Sequence, residues 1–522
     1  MRHRVARGVV VVVLVAGAAL APAAAEAAPP ATATTIADLS DPAMTTGVLS
    51  AVACPSATTC LAVGSGPSQG AVAVASVTGS VATWGALEPS SGDAGNFFAW
   101  SAIACPSATT CLAVGADDAN AVITVATLSA GTWSWTPTTE LPNDASGAGS
   151  LAAIACPSAT TCLAVGADGN SVGIATVATA TAGGWTWSPE TTLLADSSGQ
   201  GGLSAIACPS ATTCVAVGSD GSLGVAAGAT GTGATWTWGP ESAIELGAAS
   251  AGLGGLNGVA CASAATCVAV GSDNSDAVVT SGTRGATGWT WEPEQIVTPD
   301  ASGGGELSAV ACPSSAVCVA VGSTIANGDV VSTSTNGVYT AEVATATIGP
   351  AGVTWSPVSD VAPDPTGSDA LAGITCLSAA TCVAVGAGGA YGQELFGSTT
   401  MISAPVLAPP TPTGLHAGRV GPVLLARWSP VAEATSYLCA LTSARGAPSG
   451  RREVVSAPAC RFAGLGLDQV AGVAVEALAS GEVSSAAVAV VHGHRHTLRC
   501  LRGRLTRRVT GLFPSCPPGW RP

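Results

Sequence analysis

One phrase, Leu-Ser-Ala-Ile-Ala-Cys-Pro-Ser-Ala-Thr-Thr-Cys-Val-Ala-Val-Gly at 203–218, occurs in seven variants along the chain. Its first cysteine stands at Cys54, Cys105, Cys156, Cys208, Cys261, Cys312 and Cys376, in steps of 51, 51, 52, 53, 51 and 64 residues. A fixed period of this length means one supersecondary unit built repeatedly, with the core buried between neighbouring copies. The repeat region is placed at 28–405, with copies starting near 49, 100, 151, 203, 256, 307 and 371.

Each copy reads as four short strands. Ser-Ala-Ile-Ala-Cys and Cys-Val-Ala-Val-Gly are the first two, and a β-branched run such as 121–127 is the third. The fourth carries Trp at alternate positions, as in Trp133 and Trp135, Trp185 and Trp187, Trp236 and Trp238, Trp289 and Trp291. Alternation puts both rings of a pair on one sheet face. Pro two residues later, often with Glu, ends the strand. Gly, Thr and Val interrupt every helical run. Four strands per copy and seven copies predict an all-β, seven-bladed β-propeller. A β-solenoid is the rival, although its rungs are usually shorter. The last copy lacks a Trp strand, so 31–39 or 401–406 is expected to complete it and remove an open edge. The long step of 64 residues adds an insertion within 324–339, either a binding-face loop or a neutral decoration.

Every copy holds Cys-x5-Cys at the facing ends of its first two strands. The expected disulfides are Cys54–Cys60, Cys105–Cys111, Cys156–Cys162, Cys208–Cys214, Cys261–Cys267, Cys312–Cys318 and Cys376–Cys382. Disulfides imply an oxidising compartment. Residues 1–27 agree: Arg2, Arg4 and Arg7 precede an apolar run at 9–21, then small residues with cleavage after Ala25 or Ala27. This reads as a secretory signal peptide, the run being short of the ~20 residues of a membrane span. No transmembrane segment is expected in the mature chain, which is placed outside the cell or at its surface.

All 17 basic residues are arginine, against 32 acids. Between Arg7 and Arg419 the one arginine is Arg284, while 27 of the acids lie there. Such a body is unsuited to nucleic acid. It holds neither His nor Lys, so Ser-His-Asp, Cys-His, Ser-Lys and Schiff-base devices are unavailable to it. Asp117, Asp168, Asp220 and Asp273 follow the second strands and read first as turn residues. Asp273-Asn274-Ser275-Asp276 is the one compact group suited to calcium. The sequence assigns no catalytic residue, cofactor or metal ligand.

The repeat resembles the Asp-box propellers, the family of sialidases and photosystem assembly factors, whose box is Ser-x-Asp-x-Gly-x-Thr-Trp. Its end stands here as Gly184-Trp185-Thr186-Trp187, Gly288-Trp289-Thr290-Trp291 and Gly352-Val353-Thr354-Trp355, with Ala182, Ala286 and Pro350 at the Asp position. The resemblance implies a propeller. Sialidases of that family hold substrate with three arginines and use a Tyr nucleophile, which one body arginine cannot match.

Pro405, Pro409, Pro410 and Pro412 mark a stiff linker, assigned to 406–412. Residues 413–491 resemble a fibronectin type III domain, through Pro412, Leu415, Trp428 in the second strand, Tyr437 in the third, and Leu467 before 473–477; Ala471 holds the family's corner Tyr position. Cys439 and Cys460 are expected to pair. The tail, 492–522, holds seven Arg and no acid. It reads as a hairpin of 498–502 and 507–512 stapled by Cys500 and Cys516, with Arg502, Arg504, Arg507 and Arg508 as candidates for binding an anionic envelope, or else as a solvated cap. His492, His494 and His496 alternate in a loose linker.

The function expected is an exported, non-catalytic binding or scaffolding protein whose propeller face recognises a glycan or protein at the cell envelope. The alternative is a glycoside hydrolase working with two carboxylates in one cleft. A structural surface protein without a specific ligand is the third reading.

Overall fold

The computed structural model describes residues 30–511 except 34–35, 40–46, 67–68, 91–97, 118–119, 142–148, 194–200, 221–222, 246–253, 274–275, 287, 298–304, 326–338, 350, 362–368, 389–395, 406–410, 421–422, 432–433, 444–447, 464–470, 480–481, 485–486, 492–495 and 503–504. The signal segment, its cleavage site, the core of the 324–339 insertion, Asn274, Ser275, Leu467, His492, His494, Arg504 and Cys516 therefore lie outside the described residues.

The described residues are all-β, without a helix. Each of the first six copies forms an antiparallel sheet of four strands in chain order, with a two-residue fifth strand beside the third. In the second sheet these are Phe98–Ser107, Thr110–Asp117, Asn120–Ser129, Thr132–Trp135 and Thr139–Glu140. Local chemistry explains the phrase. Ser107 Oγ accepts the Thr109 N–H at 3.2 Å and closes the turn between the two cysteines. Ala130 and Gly131 both take positive φ (51° and 85°), the conformation a two-residue hairpin turn requires. The phrase ends in Gly because the first strand bulges there: between Leu151 and Ala153 the register slips, and a Cβ on Gly166 would collide with the Ser150 carbonyl.

The seventh sheet is completed from both ends of the repeat region. Its third strand is Phe396–Ser403, which takes in part of the 401–406 candidate. Its outer strands come from the N-terminal candidate: Thr32 faces Ser403 and Ala37 faces Thr399. These two pieces occupy the places that the Trp strand and the two-residue strand hold elsewhere. The N-terminal segment thus covers an edge that would otherwise offer free backbone groups.

The first strand of each sheet packs against the first strands of the sheets before and after it, and that of the seventh packs against that of the first. The core lies between consecutive sheets. Leu49, Trp100, Leu151, Leu203, Leu256, Leu307 and Leu371, at one position of the first strands, are all buried. The Trp strands alternate exposed Thr or Ser with half-buried Trp, and their rings cover the preceding sheet. All seven Cys-x5-Cys pairs are disulfides. Each closes a tight loop worth about 2 kcal/mol in the chain-entropy picture.

Beyond the repeats, His416–Val420, Val423–Arg427 and Ala459–Phe462 form one sheet; Pro448–Val455, Ser436–Ser443, Ala471–Ala479, Glu482–Val483 and Ala487–Val491 form another. They share a core of Leu424, Trp428, Tyr437, Phe462 and Val473, and Cys439–Cys460 bridges them. Trp428 follows the second strand instead of lying within it, because that strand ends at Arg427. Tyr437 lies in the third strand as expected, and its hydroxyl accepts the Val431 N–H at 2.9 Å. A final hairpin pairs His496–Arg502 with Leu505–Gly511. Among the described residues no helix is long and apolar enough to cross a membrane.

Candidate functional site

The register of the third and fourth strands puts the sheets on a common frame. The last Trp of each of these fourth strands stands opposite a small residue: Ala75 for Trp84, Ala126 for Trp135, Ala178 for Trp187, Ala229 for Trp238, Gly282 for Trp291 and Ala346 for Trp355. The residue before it faces the next sheet and is Val74, Val125, Val177, Gly228, Ser281 or Thr345 in turn. The residue two after it is Val77, Leu128, Ala180, Gly231, Arg284 or Ile348.

Three departures from this frame meet at one junction. Gly228 of the fourth sheet stands where three sheets have Val. Gly282 of the fifth replaces Ala, and Arg284 replaces an uncharged residue. Between these sheets is a cavity of about 510 Å³, lined among others by Thr213, Gly228, Trp238, Arg284, Trp289 and Trp291. At the preceding junction, where Val177 is present, the corresponding cavity is about 260 Å³ and no charged residue lines it. The size of the larger one is that of an ordinary small-ligand site.

Glycine explains how the rings are held. A Cβ on Gly228 would stand 3.1 Å from Trp289 Cδ1, and one on Gly282 would press into the Trp291 ring at 2.9 Å. The two indoles lie 6.4 Å apart between ring centroids and 32° from parallel. Arg284 faces Trp289 directly across the strand pair, so its charge stands beside the aromatic floor. Three buried polar atoms in this lining have no hydrogen-bond partner in the protein: Trp289 Nε1, Trp291 Nε1 and Thr213 Oγ1. By contrast, Trp236 Nε1 donates to the Gly233 carbonyl at 3.0 Å.

The acids are elsewhere. Glu190, Glu241 and Glu294, each following the Pro that ends a Trp strand, are buried and seated against glycines, Gly149, Gly173 and Gly224 respectively. Glu342, inside the strand Tyr339–Gly349, and Asp369, the first residue of its strand, are buried. Burial first, then the charge of Asp273, push the Glu294 carboxyl up to about 7, against a pull from the Gly224 backbone N–H. None of these acids lines the cavity. Asp168 and Asp220 act in turns: Asp168 Oδ1 accepts the Asn170 and Val172 N–H groups at 2.8 Å, and Asp220 Oδ1 accepts that of Leu223 at 2.8 Å. Asp117 and Asp273 are buried strand ends. Among the described residues no group of three metal-ligating side chains is present.

In the tail, Arg502, Arg507 and Arg508 stand opposite Leu505, Cys500 and Arg499, and Arg507 is exposed. This hairpin carries arginines in opposite register positions and is separate in sequence from the cavity. Sequence reasoning noted Arg284 and the Trp pairs but did not bring them together. Setting the copies in register would have exposed Gly228 and Arg284 as the odd members.

No family model matches the chain, and no curated protein matches it. Among solved structures, the chain is similar to a protein from Lactobacillus plantarum, with TM-score 0.46 and 11% identity over 60% of this chain and 85% of that one. It is similar to AofleA from Arthrobotrys oligospora, with TM-score 0.34 and 11% identity over 63% of this chain and 90% of that one. A segment is similar to the fn3 domain of human collagen alpha-1(XX) chain, with 28% identity and TM-score 0.15 over 17% of this chain and 85% of that one. Likenesses this distant carry no functional argument, so the functional reading rests on the chain's own geometry.

Proposed function

We propose that the repeat region is a closed seven-bladed β-propeller of Asp-box-like type, followed by a fibronectin type III-like domain, and that the protein is an exported, non-catalytic binder that recognises a glycan at the cell envelope. The single observation that carries this reading is the cavity between the fourth and fifth sheets. It combines an indole floor with hydroxyls and one arginine in a volume of about 510 Å³. Sugars have apolar C–H faces that pack on indole and a rim of hydroxyls and ring oxygens that accept hydrogen bonds. The cyclic contacts of the first strands and the N-terminal completion of the seventh sheet support the closed ring. The disulfides support export.

Hydrolysis would need two carboxylates at one open cleft. The acids of the described sheets that pack between neighbours are buried away from the cavity, which favours binding over catalysis. A glycan array probed with the chain from residue 28 onward tests the proposal. Binding to a defined set of oligosaccharides is expected. An array without a signal would overturn it.

A further inference from the structure

Resting on that glycan reading, we infer that the cavity between the fourth and fifth sheets selects sugars that carry an anionic group, and that Arg284 reads the charge. The charge inventory of the cavity is one-sided. Arg284 is the one charged side chain in the lining, beside the indoles of Trp238, Trp289 and Trp291 and the hydroxyls of Thr213, Thr230, Thr237 and Ser242, which donate and accept. No Asp or Glu lines the cavity. A lone positive charge among neutral groups calls for an anionic ligand.

The position of Arg284 is the second argument. It is the one arginine of the body between Arg7 and Arg419, where 27 acids lie. A body of that charge repels anions in general, so an anionic sugar would be held only where a cation stands locally. Val77, Leu128, Ala180, Gly231 and Ile348 hold its place in the other sheets, and none is charged. Arg284 is exposed, its backbone N–H donates to the Ala265 carbonyl at 2.9 Å, and no ion pair engages its guanidinium among the described residues. The fork is therefore available for a two-point bond to a carboxylate while the sugar ring lies on the indoles. Sulfated sugars share the negative charge, and a guanidinium fork holds tetrahedral oxyanions at two points as it holds carboxylates, so the titration separates the two.

The test is calorimetric titration of the full mature chain with oligogalacturonate, with its methyl ester, and with a sulfated oligosaccharide of equal length. The acid is expected to bind at least tenfold tighter than its ester, and its ratio to the sulfated sugar tells carboxylate from sulfate. Arg284→Met should bring acid and ester level, and added salt should weaken the acid alone. Arg427→Met, which removes an exposed charge from the C-terminal sandwich, should leave the preference intact. Equal affinity for acid and ester in the unmodified chain would overturn the charge reading and leave the glycan reading standing. No binding of any array sugar would bring down the glycan reading and this inference with it.

Discussion

The third and fourth sheets meet in the same way as the fourth and fifth, with the same paired tryptophans laid over the same strands. One junction holds about 260 Å³ of space and the other about 510 Å³. The difference follows from side chains, since the backbone frame repeats. Val177 packs against Trp236 and Trp238 at the first junction, while at the second Trp289 closes onto Gly228, where a Cβ would stand 3.1 Å from its Cδ1. At the first, Trp236 satisfies its N–H on Gly233; at the second, the indole donors of Trp289 and Trp291 have no protein partner. A repeat protein can thus create a site by subtraction at one junction, and the other junctions continue to supply the stability.

Replacing Gly228 with Val makes the second junction resemble the first and is expected to have the largest effect. Sugar affinity should fall at least a hundredfold and the melting temperature should fall as well, because a Cβ there would stand 3.1 Å from Trp289 Cδ1 and the ring must give way. Array binding and calorimetry on the variant check this. Next, Trp289→Ala should weaken binding by about 2 kcal/mol or more, as loss of a central aromatic contact does. Trp236→Ala should leave sugar binding unchanged and lower stability by about 2 kcal/mol. The comparison fails if the two tryptophan variants behave alike in titration and in denaturant unfolding.

Val177→Gly sharpens the comparison from the other side. It should cost about 2 kcal/mol, from lost burial and added backbone freedom, and enlarge the first junction without conferring acid-sugar preference, since no arginine stands there. The smallest effect concerns the buried edge of the fifth sheet. The Glu294 carboxyl is raised to about 7 in the folded protein from an ordinary value of 4.5, so the folded state binds the proton more tightly than the unfolded one. The resulting stabilisation is fully present below about pH 4.5 and is lost as pH rises through about 7. Glu294→Gln should remove this slope, worth about 1–2 kcal/mol after solvent screening, and raise stability at pH 8. Urea unfolding at pH 5 and pH 8 reads it; an unchanged slope would exclude Glu294 as its source.

The repeat, the four strands, the Trp faces and the seven disulfides were legible because each recurs at a fixed spacing, and recurrence averages out local ambiguity. The completion of the seventh sheet was legible as a choice between two segments; the structure uses both, since the third strand needs Phe396–Ser403 and the outer edge needs 32–39. The burial of Glu190, Glu241 and Glu294 was not legible. Glutamate after proline reads as a solvated strand end, and only the glycines of neighbouring strands make room for it. The cavity was hidden for a related reason. It depends on a side chain that Gly228 lacks and on Trp289, which belongs to the next copy, so no local motif announces it.

The central claim is that the indole rings of the fourth–fifth junction meet the sugar. The most direct measurement follows the indole N–H resonances of ¹⁵N-labelled protein during titration with the tightest sugar from the array, with Trp289→Phe and Trp291→Phe used for assignment. The account predicts that the Trp289 and Trp291 signals shift together and saturate with the calorimetric affinity, while the Trp236 signal stays in place. Saturating shifts at Trp236 or other tryptophans, with Trp289 and Trp291 unmoved, would contradict it.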